Sequence, residues 1–189
     1  GSLSSTRIVA CSSCHVCTSI GRFTALELES LVQNDGSLVH RELFWRPDIY
    51  QLELEKIFAK SWVFLCHESQ IQKKGDFFAT YIGEDPVLVV RQGDGSIRAF
   101  LNVCRHRGMK VCRADEGNTG GFTCSYHGWT YDTSGALVSV PRLQKSFGDR
   151  LRLDQWPLRP VPKLENYKGL IFGSFDPEAV SFREYLGEM

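Results

Sequence analysis

Two short segments, Cys104-Arg105-His106-Arg107-Gly108 and Cys124-Ser125-Tyr126-His127-Gly128-Trp129, each carry one cysteine and one histidine. The pattern is Cys-x-His, seventeen intervening residues, then Cys-x-x-His, so each loop delivers one thiolate and one imidazole to a common point. By this chain's own cysteine and histidine frequencies, such a pattern arises by chance roughly once in a hundred sequences. The ordinary alternative, two buried thiols and two unrelated surface histidines, loses its weight once the joint spacing is counted. Whatever fold this chain adopts must bring residue 104 beside residue 124.

Two metal chemistries use these donors. A structural zinc accepts two cysteines and two histidines, but it usually pairs like with like along the chain, whereas each pair here is mixed. A Rieske centre needs the mixture: two thiolates hold one iron of a [2Fe–2S] cluster and two neutral imidazoles hold the other. On that reading Cys104 and Cys124 would hold one iron, and His106 and His127 the other. Zinc is the rival reading. Gly108 and Gly128 follow the two ligand pairs, where backbone must approach closely and a positive φ is best met by glycine.

Composition narrows the class. At 189 residues and 42% hydrophobic content the chain is long enough for one domain with its own core, so a metal is needed for function rather than for folding. Twenty-two basic and 22 acidic residues balance to zero net charge, which removes the electrostatic signature of a nucleic-acid binder. No apolar run approaches the length of a membrane-spanning helix. Seven cysteines are too few for a disulfide-stapled scaffold and cannot all pair within the chain. Residues 1–26 lack the apolar run of an export signal, so a reducing cytoplasm is expected. Cys11-Ser12-Ser13-Cys14-His15 matches a haem-attachment pattern, with Cys17 a further thiol, but that chemistry ordinarily follows export.

Along the chain, residues 1–37 read as a disordered leader with a short helix over 24–33. Pro47 and Asp48 supply helix-start chemistry for an amphipathic helix over 48–60, its apolar face carrying Leu54, Ile57 and Phe58. Strands follow at 62–66, 76–82, 87–92, 96–102, 121–124, 129–132, 136–139, 159–165 and 170–175. Gly93-Asp94-Gly95 and Thr133-Ser134-Gly135 are the hairpin turns. A closing helix begins at 181. The reading is a mainly β chain: an antiparallel β-sandwich with a cluster-binding subdomain, preceded by an N-terminal helix. The organisation expected is a leader at 1–37, a helical segment at 38–61, a [2Fe–2S] domain at 62–180, and the start of a further domain at 181–189.

From Leu38 onward the sequence resembles the large (alpha) subunit of Rieske non-haem iron aromatic-ring-hydroxylating dioxygenases, of the polycyclic aromatic, biphenyl or naphthalene type. The resemblance is carried by ELEKIFAKSWVFLCHES, GDFFATYIGEDPVLVVRQGDGSIRAFLNVCRHRGM, FTCSYHGWTYD and YKGLIFGSFDPEA followed by YLGEM. It implies a Rieske cluster on Cys104, His106, Cys124 and His127, reduced by a ferredoxin. The electron would pass to a mononuclear iron in the catalytic domain of a neighbouring alpha subunit, with a beta subunit in the full enzyme, for cis-dihydroxylation of aromatic hydrocarbons. Respiratory Rieske proteins carry an extra cysteine in each loop; Met109 and Tyr126 stand there, so no disulfide forms. With Trp129 in place of a serine that hydrogen-bonds the cluster, the implied potential is low, roughly −150 mV.

The family's catalytic iron is held by two histidines five positions apart and a carboxylate. The five histidines here stand at 15, 40, 67, 106 and 127, and no two have that spacing. No catalytic residue is therefore expected in this chain, the mononuclear iron belongs to a domain beyond it, and the fragment should be inactive alone. A free-standing Rieske electron carrier is the alternative. Arg105, Arg107, Trp129 and Tyr131 lie beside the ligands without a role that sequence decides, while His40, His67, Cys66 and Cys112 sit at no ligand spacing.

Overall fold

The computed structural model describes residues 28–33 and 36–188. The leader's Cys11, Cys14, His15 and Cys17, and most of the helix expected over 24–33, lie outside the described residues. Within them, Leu28 and Glu29 are helical, and Val32 pairs with Val39 in an isolated antiparallel bridge. The described residues divide into two compact units, one up to Leu52 and one from Glu53 onward.

A 3₁₀ turn, Arg41–Phe44, leads into helix α1, Pro47–Glu53, whose last residue begins the second unit. Pro47 opens the helix, where a missing N–H costs nothing. The Arg46 guanidinium bridges Glu42 and Asp48, donating to their carboxylates at 3.1 and 2.7 Å. The expected continuous helix over 48–60 is not formed. After Glu53 the chain widens into a π-helical turn, Leu54–Phe58, closed by the Ala59 N–H donating to the Leu54 carbonyl five residues back. Five residues per hydrogen-bonded ring shift the apolar face. Leu54 and Phe58 pack on Gly83, whereas Ile57, expected beside them, is 52% exposed.

The second unit is built from ten strands: β1 Val63–His67, β2 Asp76–Ile82, β3 Asp85–Arg91, β4 Ile97–Leu101, β5 Glu116–Asn118, β6 Gly121–Thr123, β7 Thr130–Asp132, β8 Leu137–Ser139, β9 Lys163–Tyr167 and β10 Leu170–Ser174. All pairings are antiparallel and form three sheets, ordered β4-β3-β2-β5, β1-β10-β9 and β6-β7-β8. Two short helices follow, α2 Leu143–Ser146 and α3 Phe182–Leu186; Ser181 caps the latter by accepting from the Glu184 N–H.

The four-stranded sheet lies between the other two, and β3 shows why. Its Val87-Leu88-Val89-Val90 run is wholly buried. Successive side chains of a strand point to opposite faces. Val87 and Val89 join Leu65, Cys66 and Ile171 of β1 and β10, while Leu88 and Val90 join Phe122, Tyr131 and Leu137 of β6, β7 and β8. Neighbours divide the same way: Phe77 and Phe100 face the third sheet, Ile82 and Ala99 the second. A strand buried on both faces reads as a continuous apolar run. The expected β-sandwich is thus present, with the cluster-binding subdomain as a third sheet.

Both predicted hairpin turns form. Asp94 accepts from the Ser96 N–H, and Asp132 from the N–H groups of Ser134 and Ala136. The strand expected over 159–165 begins only at Lys163. Upstream, Arg159 and Val161 each bond the edge of β4, but Pro160 and Pro162 offer no N–H, so no ladder propagates. Strand β5 was not anticipated: Glu116-Gly117-Asn118 is exposed throughout and carries no apolar alternation.

Candidate metal centre

The two Cys/His segments are tips of two hairpins of the same design. Val103 pairs with Lys110 and Thr123 with Thr130, each spanning eight residues. In the first, the Cys104 N–H donates to the Met109 carbonyl at 2.8 Å and the Gly108 N–H returns to the Cys104 carbonyl at 2.9 Å. In the second, Cys124 donates to Trp129 and Gly128 to Cys124, both at 2.9 Å. Gly108 and Gly128 close the tips at φ of 75° and 72°, the left-handed region expected of them. The two histidines differ by one place within this shared frame, third in one tip and fourth in the other.

The donors sort by kind. Cys104 and Cys124 are buried in the core shared with Phe122 and Tyr131, and their thiols face each other within hydrogen-bonding reach. Burial, more than contact with Cys124, raises the Cys104 pKa. The imidazoles lie outward of them: the ring centroids of His106 and His127 are 4.7 Å apart, with His106 partly buried and His127 exposed beside Tyr126. Burial, followed by the charges of His127 and Arg107, lowers the His106 pKa and favours the neutral imidazole that a metal ligand requires. Among the described residues no three His, Cys, Asp or Glu side chains converge to hold a single metal ion. The donor set is a thiol pair and an imidazole pair.

One atom marks the centre as built for a ligand. His106 Nδ1 is buried without a hydrogen-bond partner, a condition that costs about 1–3 kcal/mol unless something binds there. Two thiols, two imidazoles and an orphaned ring nitrogen fit a two-iron cluster with mixed ligation.

Several side chains complete the site. Trp129, 3% exposed, lies flat against His106, and Phe147 and Trp156 pack edge-on against its indole. Together with Ser146, Arg150 and Leu151 they line a cavity of about 440 Å³ beside His106. Tyr131, wholly buried, places its hydroxyl 3.5 Å from Cys104 Sγ and accepts the Arg105 N–H at 3.1 Å. Asn102 pairs through both ends of its amide with the Cys112 backbone, each bond 2.8 Å, and so ties off the loop that carries Cys104 and His106. The sequence reading assigned no role to Trp129 or Tyr131 and passed over Asn102, Phe147 and Trp156. The visible signals were the Asn two places before Cys104 and the Tyr four places after His127. His40 and His67 instead cap 3₁₀ turns by accepting backbone N–H groups.

A buried thiol pair beneath an outward imidazole pair, carried on matched hairpins, is the architecture of an iron–sulfur electron-transfer domain. The chain belongs to the Rieske [2Fe–2S] domain family, whose model matches residues 61–166. It is 52% identical over 162 residues to the benzene 1,2-dioxygenase alpha subunit of Pseudomonas putida, an alignment covering 86% of this chain and 36% of that protein. It is 49% identical, again over 86% of its length, to the biphenyl 2,3-dioxygenase alpha subunit of Rhodococcus jostii, of which 35% is covered. The structure of naphthalene 1,2-dioxygenase from Rhodococcus sp. bound to indole superposes with a TM-score of 0.74 at 51% identity, covering 77% of this chain and 33% of that one. The chain therefore spans about a third of the length of these relatives. Among the described residues no helix is long and apolar enough to cross a membrane.

Proposed function

We propose that Cys104 and Cys124 hold one iron of the Rieske cluster and His106 and His127 the other. On this reading residues 62–180 act as the electron-transfer domain of an aromatic-ring-hydroxylating dioxygenase alpha subunit, in the cytoplasm. The observation that carries the ligand assignment is the buried, unpartnered Nδ1 of His106 beside His127, directly outward of the thiol pair. Bound there, the cluster supplies one-electron chemistry. The chain's own residues keep the thiols dry, hold His106 against Trp129, and leave His127 at the surface as the contact for a redox partner.

The donor is a ferredoxin. The acceptor is the mononuclear iron in the catalytic part of a neighbouring alpha subunit, lying outside these 189 residues, and the full enzyme includes a beta subunit. The reaction served is cis-dihydroxylation of an aromatic hydrocarbon, the substrate class named in the relatives at 49–52% identity. Anaerobic reconstitution with iron and sulfide, followed by electron paramagnetic resonance of the dithionite-reduced protein, tests the assignment. A rhombic signal that is lost in Cys104→Ser and in His127→Ala is expected; a colourless protein with stoichiometric zinc would sink it.

A further inference from the structure

Among the described residues four cysteines are free thiols, and one pair of them, Cys104 and Cys124, faces each other within hydrogen-bonding reach. The other two point elsewhere. Cys66 lies in the separate core with Leu65, Val87 and Ile171, and the Cys112 thiol turns to the Ala114 carbonyl at 3.7 Å. A disulfide requires its sulfurs at about 2.05 Å and backbones that face each other at short range. The two hairpins present their cysteines in the same way, each one residue past the bridging pair Val103–Lys110 or Thr123–Thr130. Each cysteine has its N–H and its carbonyl bonded within its own tip, so side-chain torsion is what remains to bring the sulfurs together. The pair is buried but not deep: Ser125, Tyr126 and His127, directly after Cys124, are all exposed.

We infer that, before its cluster is inserted, the chain closes a reversible disulfide between Cys104 and Cys124, and that this bond bars iron until a dithiol reopens it. The oxidant is a hydroperoxide. With hydrogen peroxide, one thiol sulfur attacks the O–O bond, becomes a sulfenic acid and releases one water. The second thiol sulfur attacks the first, the S–O bond breaks, and a second water leaves carrying the last proton. Two thiols have then lost two electrons and two protons, and the peroxide has become two waters. Iron is bound by thiolates, so the joined sulfurs have no ligand to offer. Closure also keeps either sulfur from the irreversible sulfonic acid. In a reducing cytoplasm such a bond is transient and reports oxidant, the usual role of disulfides there. The bond itself follows from the thiol pair alone, whereas the bar to iron rests on the ligand assignment above.

Peroxide treatment of the cluster-free 189-residue chain, followed by alkylation and trypsin digestion without reductant, tests the bond. Trypsin separates the cysteines: 99–105 carries Cys104, 114–142 carries Cys124, 61–73 carries Cys66, 111–113 carries Cys112 and 8–22 the three of the leader. Mass spectrometry should find 99–105 joined to 114–142, in wild type and Cys112→Ser alike, and dithiothreitol should part them. In Cys104→Ser the link should vanish and Cys124 should gain two or three oxygens instead. Anaerobic transfer from a scaffold protein carrying a preformed [2Fe–2S] cluster, which adds no free sulfide to open the bond, tests the bar to iron. The linked chain should stay without the rhombic signal and should gain it after dithiothreitol. Failure to form the link, a link to another cysteine instead, or a linked chain that loads as readily as the reduced one overturns the inference. A reduced, unlinked chain that never gains the rhombic signal overturns the ligand assignment and the bar to iron with it, while the link is judged by mass alone.

Discussion

The indole of Trp129 lies parallel to the imidazole of His106, with 8° between the ring planes and 4.9 Å between their centroids. The stack fixes the ring that carries the orphaned Nδ1, and Phe147 and Trp156 hold the indole from behind. Trp129→Ala should therefore cost about 3–5 kcal/mol of stability through the cavity it leaves, and should lower iron retained per chain after reconstitution. Trp129→Phe keeps a flat ring and should retain most of both. Urea midpoints and iron analysis check this; full iron content in the alanine variant would show that the stack does not position His106.

The Tyr131 hydroxyl serves two groups at once, Cys104 Sγ at 3.5 Å and the Arg105 N–H at 3.1 Å. Tyr131→Phe leaves that N–H without its acceptor, for a loss of about 1–3 kcal/mol. With the cluster bound it also removes a hydrogen bond to a ligand sulfur, and such bonds ease reduction by offsetting negative charge. The expected outcome is a lower reduction potential with the rhombic signal retained. Voltammetry that returns the wild-type potential would remove the hydroxyl from any tuning role.

What sequence revealed divides along a physical line. Strands β2, β3 and β4 were legible because each has an apolar side chain at nearly every inward position and is bounded by Gly or Asp turns. The four donors were legible because metal chemistry restricts residue type and spacing together. Strand β5 was not, because its pairing with β2 rests on backbone bonds alone. Nor was the π turn at Leu54–Phe58, since its apolar spacing satisfies an α-helix equally well and packing on Gly83 selects the wider ring. The roles of Trp129 and Tyr131 depend on which way a side chain turns from its strand end, and that follows from tertiary packing.

Asn102 is wholly buried and spends both ends of its amide on Cys112, accepting its N–H and donating to its carbonyl. Asn102→Ala leaves both backbone groups unpaired, each at about 1–3 kcal/mol. The loss should fall on the loop between them, so iron content should drop before global unfolding begins. Asn102→Asp keeps the acceptor but sets a carboxylate against the Cys112 carbonyl, and should rescue little. Hydrogen exchange at Cys112 reports directly: an amide still protected in Asn102→Ala would contradict the clamp.

Gly108 and Gly128 share a left-handed backbone but not their surroundings. A Cβ on Gly108 meets no atom within 4 Å, whereas one on Gly128 would come 2.8 Å from Pro141 Cγ. Gly108→Ala should cost only backbone strain, about 1–2 kcal/mol. Gly128→Ala adds a collision with a rigid ring and should cost clearly more, displacing the 140–142 segment. Denaturant unfolding of the two variants side by side checks the order, and equal losses would mean that Pro141 moves freely.

Cys66, 1% exposed in the core between the first and second sheets, titrates far from its ordinary range: burial pushes its thiol up to about 11, with Arg91 opposing weakly. In the unfolded chain the same thiol ionises near about 8.5. Between those values the native chain keeps a proton that the unfolded chain releases, so this residue's contribution is complete below about pH 8.5 and declines as pH rises toward 11. The slope it adds approaches about 1.4 kcal/mol per pH unit within that window. Cys66→Ala should remove it, leaving a flatter dependence of unfolding free energy on pH between about 8.5 and 10.5. Parallel slopes for wild type and variant would show that the thiol ionises in the folded protein as readily as in the unfolded one.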